Sequence, residues 1–250
     1  MANNSYTSLA AAYDTLTEDV GYEKRADFIE KLFLRSGIDV RTVLDLACGT
    51  GTMSALFTRR GYEMIGVDAS SEMLMQAQSK SSELPGTPPL YLCQSMPELD
   101  LYGTVDAAIC CLDSINYLLS PAEVKETFRR LHLFIAPGGA FVFDVHSVAK
   151  MRALDAQVWL DEREDLYCVW RTEFSRKFLD YYVDIFTLAP DGAWERSFET
   201  HRQRAYTVEE LTQWLREAGF TNIRTYGDCR MSGPKEHEER IYFSAIRGKR

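Results

Sequence analysis

Val43-Leu44-Asp45-Leu46-Ala47-Cys48-Gly49-Thr50-Gly51 is an apolar run that closes in small residues. Leu44 and Leu46 flank Asp45 as they do in a buried strand, and Thr52–Arg60 reads as the helix that follows. Ala47, Gly49 and Gly51 keep side chains out of the turn between the two, and glycine tolerates backbone dihedrals that other residues avoid. A turn that bare lets a ligand approach the backbone. At the carboxyl end of a parallel strand, it is where open α/β sheets bind nucleotide-like cofactors.

The details narrow the cofactor. A dinucleotide loop needs a third glycine in G-x-G-x-x-G, and Ser54 stands there instead. A P-loop ends in Gly-Lys-Ser/Thr, which is missing. An acid two residues before the small-residue turn suits a ligand that carries a cation rather than phosphates. Together, Asp45-Leu46-Ala47-Cys48-Gly49-Thr50-Gly51 closely resembles the first motif of the class I S-adenosylmethionine-dependent methyltransferases. The resemblance implies that Ala47, Gly49 and Gly51 pass under the methionine part of S-adenosyl-L-methionine and that Asp45 helps to orient it. The family's usual first glycine is Ala47 here. An ordinary strand-turn-helix of some other doubly wound protein is the alternative.

Outward from this turn the chain alternates. Arg41–Leu46, Tyr62–Val67, Leu90–Gln94, Val105–Leu112 and Ala140–Val145 read as strands one to five. Helices follow from Thr52, Ser71 and Pro121, the second capped by Ser70 or Ser71, and Pro137-Gly138-Gly139 reads as a turn. Two helices precede the alternation. One starts near Ser5 with Tyr6, Leu9, Ala10 and Tyr13 on one face, and the other runs from Tyr22 to Arg35 with Gly37 at its end. Alternation of this kind predicts an α/β, doubly wound, Rossmann-like and mostly parallel sheet. From about Trp159 to Tyr206 the pattern turns β-rich, with a hairpin turn at Pro190-Asp191-Gly192. Helical spacing resumes at Thr207, and two strands, Thr221–Tyr226 and Arg240–Ile246, end the chain as an antiparallel hairpin. The expected organisation is a seven-stranded core from residues 1–150 and 207–250, with helical cover at its N-terminus. Residues 151–206 are expected to form a small inserted antiparallel sheet, and the resemblance implies that it serves as lid and substrate region.

Candidate site residues follow the carboxyl ends of these strands. Asp68 ends strand two roughly 20 residues after the glycines, where an acid takes both ribose hydroxyls; capping the next helix is its other role. The resemblance implies that Ala69 and Met73 lie by the adenosine, although Met73 is equally placed to fill core. It implies that Ser95, where many relatives carry Asp, and Met96 flank the adenine. Leu112-Asp113-Ser114-Ile115-Asn116-Tyr117 resembles an Asp-Ser-x-Asn-Tyr signature of a methyltransferase subgroup. That places Leu112 beside the cofactor and Asp113, Asn116 and Tyr117 near the acceptor, unless Asp113 or Ser114 only caps a turn. The same subgroup carries Tyr-x-x-x-Ala-x-x-Tyr-Asp, loosely matched by Tyr6, Ala10, Tyr13 and Asp14, which implies a helix over the cofactor with Tyr13 touching its amino-acid end. A plain amphipathic helix explains those aromatics as well. His146 after strand five, His201 in the inserted sheet and Tyr117 are the candidate general bases, and Arg204 is a candidate acceptor ligand.

Composition trims the classes. The chain of 250 residues has a formal net charge of −9 and is 46% hydrophobic. That charge argues against nucleic-acid phosphates as the partner. No apolar run reaches membrane-spanning length, and Met1-Ala2-Asn3-Asn4-Ser5 lacks a signal-peptide pattern, so a cytoplasmic protein is expected. Six cysteines include no C-x-x-C pair and no His cluster, so no metal is expected and the thiols read as free and reduced. The function expected is methyl transfer from S-adenosyl-L-methionine to a nitrogen or oxygen of a small-molecule acceptor. A protein or tRNA methyltransferase, an NAD-dependent oxidoreductase and a non-catalytic cofactor-binding protein are the alternatives.

Overall fold

The computed structural model describes residues 9–82, 84 and 86–248; Tyr6 lies outside the described residues. The expected first helix is broken. A 3₁₀ turn (Leu9–Ala11), the one-turn α1 (Tyr13–Leu16) and a second 3₁₀ turn (Glu18–Val20) precede α2 (Tyr22–Ser36). Thr17 leaves helical geometry at φ −114° and Gly21 is left-handed at φ 72°. At the other end, the Leu9 amide is held by the carboxylate of Glu199, 190 residues away. A segment tied to distant partners at both ends cannot follow its own helical periodicity.

The core sheet begins with β1 (Thr42–Leu46), followed by α3 (Thr52–Arg59), β2 (Glu63–Asp68), α4 (Ser71–Ser81), β3 (Leu90–Cys93) and β4 (Val105–Cys110). Then come α5 (Pro121–Phe134), β5 (Ile135–His146) and the short α6 (Val148–Ala153). Period-two alternation sends successive side chains to opposite faces. Leu44 and Leu46 join the face packed by Phe128, Phe141, Phe143 and Phe243, while Val43 joins Phe28, Ile29 and Phe57 on the other. A strand covered on both sides is apolar throughout for this reason. α5 starts with Ser120 in a reciprocal capping box with Glu123.

Two readings change. Pro137-Gly138-Gly139 is the bulged opening of β5, not a separate turn: β4 pairs Val105 with Ile135 and then slips to Ala107 with Ala140. Gly139 is required there, because a Cβ on it would fall 2.5 Å from the Asp106 carbonyl oxygen. The inserted sheet has an additional leading edge strand. Its members are β6 (Val158–Glu162), β7 (Leu166–Ser175), β8 (Phe178–Leu188) and β9 (Trp194–Arg204), antiparallel in that order. Val158 and Leu160 expose their side chains, so β6 carries too weak an alternation signal to stand out in sequence.

α7 (Val208–Glu217) starts in a capping box between Thr207 and Glu210. β10 (Phe220–Tyr226) and β11 (Arg240–Arg247) then close the sheet as an antiparallel hairpin whose second strand lies on β5. The seven-strand order is β10-β11-β5-β4-β1-β2-β3. Strand order reverses between β1 and β4, and the crevice at that switch point is where such sheets bind ligands. No described helix is long and apolar enough to cross a membrane.

Candidate functional site

Two adjoining cavities open at the carboxyl edge of the core sheet. The first lies on the glycine turn. Asp45 is 2% exposed, and its Oδ2 accepts from the Ser54 hydroxyl at 2.6 Å. Ser54 therefore holds the acid in the place where a dinucleotide loop has its third glycine. Ala47, Gly49 and Gly51 all take left-handed φ, at 59°, 55° and 73°. Gly51 is packed inward, since a Cβ there would meet the Tyr91 hydroxyl at 2.5 Å and Ala77 at 2.9 Å. Gly49 has nothing within 4 Å of that position, so its backbone is the bare surface of the turn.

Asp68 fastens this turn from beneath. Its Oδ2 accepts from the Gly49 amide at 2.8 Å and its Oδ1 from the Ser70 amide at 2.9 Å. The cap of α4 is Ser70, whose hydroxyl accepts from Met73, so Asp68 is left for the turn and for whatever lies on it. Burial raises the Asp68 carboxyl above its ordinary value against the pull of these amides. Burial also pushes Asp45 up to about 7, aided by the charge of Asp68 and opposed by Ser54. A buried acid and a half-buried one, with the bare backbone of Gly49 held by the second, suit a ligand that brings both a cation and hydroxyl donors. S-adenosyl-L-methionine carries both, so the residues present fit it.

Tyr13, Asp45, Ala47, Gly49 and Leu112 meet around a narrow space of about 40 Å³, with Tyr22 closing it from α2. The other expected cofactor residues lie outside this lining. Ala69 is exposed beyond β2, and Met73 is buried in the first turn of α4. The Ser95 hydroxyl donates to Glu98 at 2.6 Å, and Met96 packs on the edge of the core.

The second cavity, about 480 Å³, lies between the core edge and the inner face of the inserted sheet, and shares Tyr13 and Leu112 with the first. Leu112 and Asp113 are both left-handed, at φ 57° and 52°, which turns the chain after β4 toward both spaces. Asp113 faces the cavity within a charged network. Arg240 donates to its Oδ1 at 2.7 Å and Gln203 to its Oδ2 at 2.6 Å. Arg240 also bonds Asp144 at 2.8 Å, and the Asp113 amide donates to the same carboxylate at 3.0 Å. Burial pushes Asp113 up, but His146, Arg240 and Gln203 outweigh it and hold its carboxyl below the ordinary value.

The three expected bases all line this cavity. His146 Nε2 lies 2.9 Å from an Arg240 nitrogen, and burial lowers the pKa of the ring. A guanidinium only donates, so this contact engages the Nε2 lone pair, and the same atom lies 3.5 Å from Asp113 Oδ1. His201 is 3% exposed, with Nε2 3.2 Å from Glu199, and the Tyr117 ring meets it edge-on at 6.2 Å.

Asn116 and Arg204 are not brought to the cavity. Asn116 is fully buried and spends its amide on structure, accepting from the His146 amide and donating to the Arg204 carbonyl. Arg204 donates to the Leu119 carbonyl and lies over Phe178 and Tyr206. Period-two alternation explains the difference: His201 and Gln203 share the inner face of β9, and Arg204 falls on the other. Gln203, Arg240, Tyr181, Trp159 and Trp170 also line the cavity without having been singled out in sequence. The parity of β9 was the available signal for Gln203. For Arg240 it was a charge opening a strand at the sheet's carboxyl edge, in register with His146.

Comparison with known proteins agrees with this geometry. A family model described as a methyltransferase domain matches residues 43–139. YqeM of Bacillus subtilis (strain 168), named as a methyltransferase, is 34% identical over 247 residues, covering 98% of each chain. A glycine/sarcosine/dimethylglycine N-methyltransferase of Actinopolyspora halophila is 27% identical over 222 residues, covering 83% of this chain and 36% of its own. The crystal structure of an S-adenosylmethionine-dependent methyltransferase from Clostridium acetobutylicum ATCC 824 superposes with a TM-score of 0.87 at 28% identity, covering 97% of this chain and 99% of that one.

Proposed function

Since this chain belongs to the class I S-adenosylmethionine-dependent methyltransferases, we propose that it methylates a nitrogen or oxygen of a small molecule held in the 480 Å³ cavity. The observation that carries this reading is the wall common to the two spaces. Tyr13 and Leu112 line both spaces, so a cofactor held on the glycine turn would lie next to an acceptor held in the larger cavity. The cavity has the size of an ordinary small-molecule site, about 300–1,000 Å³. Polypeptide and tRNA acceptors call for an open groove, and the net charge of −9 repels the second.

The bound cofactor supplies a methyl already activated by its positively charged sulfur. Asp45, the Gly49 backbone, Asp68 and Tyr13 hold and orient it. The chain's remaining work is to align an acceptor at about 3 Å and keep water out. Trp159, Trp170 and Tyr181 of the inserted sheet supply the cover, so that residues 151–206 act as lid and specificity element on the core of 1–150 and 207–250. Asp113, fixed by Arg240 and Gln203, gives the acceptor a polar anchor. For the proton of an amine or hydroxyl, His201 is the base we favour, because Glu199 stands behind it and Tyr117 beside it, whereas the His146 lone pair is directed at Arg240.

The test has two stages. Calorimetric titration with S-adenosylmethionine, S-adenosylhomocysteine and NAD should show binding of the first two. A metabolite screen with methyl-labelled cofactor should then transfer label to a low-molecular-weight compound; label appearing only in tRNA or protein overturns the acceptor reading.

A further inference from the structure

Among the described residues, Lys150 and Arg240 are the lysine and arginine that line the larger cavity, and their charges are held in different ways. Arg240 is spent. Its two terminal nitrogens bond Asp113 at 2.7 Å and Asp144 at 2.8 Å. Arg25 completes this cluster, 3.9 Å from Asp144 and 3.1 Å from the more exposed Asp228. Glu199 is engaged as well, by the Leu9 amide and by His201. A ligand that drew on these groups would have to break a buried pair, which is costly.

Lys150 is held otherwise. It stands on α6, just after β5, and its side chain is 27% exposed. Its ammonium donates to Glu239 at 2.9 Å, and that acid is 71% exposed. An ion pair with one member in solvent contributes little, so a ligand's anionic group can take the place of Glu239. The backbone beneath is fixed without the pair, because the Ser147 amide donates to the Glu239 carbonyl at 2.9 Å. Lys150 therefore stays at the rim when Glu239 turns to water. The inserted sheet adds a second requirement. The rings of Trp159 and Trp170 are parallel to within 4°, with centroids 5.8 Å apart. Trp170 Nε1 already donates to Asp161 at 2.8 Å, so what remains of that indole is carbon surface, which suits a flat ring.

We propose that the acceptor has a flat body and an anionic group, a carboxylate or a phosphate, and that this group binds Lys150 in exchange for Glu239. The inference rests on the small-molecule reading of the cavity given above and names the class of molecule it takes. In a chain of net charge −9 an anion is repelled at most of the surface, so a cation at the cavity rim selects for it. Lys150 sets which molecule enters and takes no part in the methyl transfer itself. Glu239 covers the ammonium while the cavity is empty.

The experiment is calorimetric titration of the full chain, saturated with S-adenosylhomocysteine, with three probes of one shape: naphthoate, naphthyl phosphate and uncharged naphthamide. The two anions are expected to bind about fivefold or more tighter than the amide, and the better of the two tells carboxylate from phosphate. Lys150→Met should erase that preference while leaving the amide within about twofold, and Lys150→Arg should keep it. Glu239→Gln should act in the opposite sense and tighten both anions about two- to threefold, because it uncovers the ammonium. Equal affinity for anions and amide in the unaltered chain overturns the proposal, as does no binding by any of the three. Weakened anion binding in both Lys150→Met and Glu239→Gln also overturns it, since that marks a purely structural pair. The labelled-cofactor screen separates this inference from the reading beneath it. Label in an uncharged small molecule overturns the anionic group alone, whereas label only in tRNA or protein overturns both.

Discussion

Asp45 is an acid whose burial brings its ionisation into the neutral pH range. Its carboxyl titrates near 7 in the folded chain and near its ordinary value when unfolded. Between those limits the folded state holds a proton that the unfolded state has released. Its contribution to stability is therefore full at low pH and is lost as pH rises through 7. Asp45→Asn should flatten that slope in thermal melts of the ligand-free protein at pH 4–8. A cationic ligand draws out the ionised form, so S-adenosylmethionine affinity should rise with pH below 7, by at most about tenfold per unit, and the dependence should vanish in Asp45→Asn. Calorimetry across that range checks both. Asp68→Ala removes the acceptor for the Gly49 amide along with any ribose contact, and should weaken cofactor binding by about 1–3 kcal/mol. At this scale sequence was most informative where function and fold ask for the same residue. Asp45 and Gly49 were legible because a strand end and a glycine announce themselves, whereas Arg240 and Gln203 stand 127 and 90 positions from the Asp113 they hold.

Among elements, the glycine turn and the capped helices make different demands. Gly51→Ala places a methyl group 2.5 Å from the Tyr91 hydroxyl at a φ of 73°, so both sterics and backbone oppose it. It should lower the melting temperature and abolish measurable cofactor binding together. Thr207→Ala deletes one half of a capping box that lines neither cavity. It should cost about 1 kcal/mol in denaturant unfolding and leave cofactor affinity unchanged. The helices with such caps, α5 and α7, were legible to within a residue because cap chemistry is local. The opening of β5 was not, since Pro-Gly-Gly satisfies a turn and a bulge equally and the choice depends on Asp106 of a neighbouring strand. The N-terminal segment deceived for the opposite reason: its periodicity is helical, but Glu199 and the Gly21 dihedral override it.

For the molecule as a whole, the smaller cavity is built by the core and N-terminal segment, while the larger one also draws on the inserted sheet. The core contributes the glycine turn, and the inserted sheet contributes Trp159, Trp170 and Tyr181 to the cavity above it. Trp170→Ala should therefore leave the cofactor dissociation constant within about twofold, yet raise the KM for an acceptor found in the screen by about tenfold or more. Calorimetry and steady-state rates measured on the same preparation test the split.

Leu112 and Asp113 sit where these sheets meet, and their left-handed backbone restricts what can replace them. β-Branched side chains are poorly tolerated at such dihedrals, so fewer substitutions are open at those two positions. The facing residues on β6, β7 and β8 sit in regular strand geometry and bear no such restriction. Substitutions that reshape the larger cavity are therefore least restricted in the inserted sheet, while the two positions that follow β4 admit few.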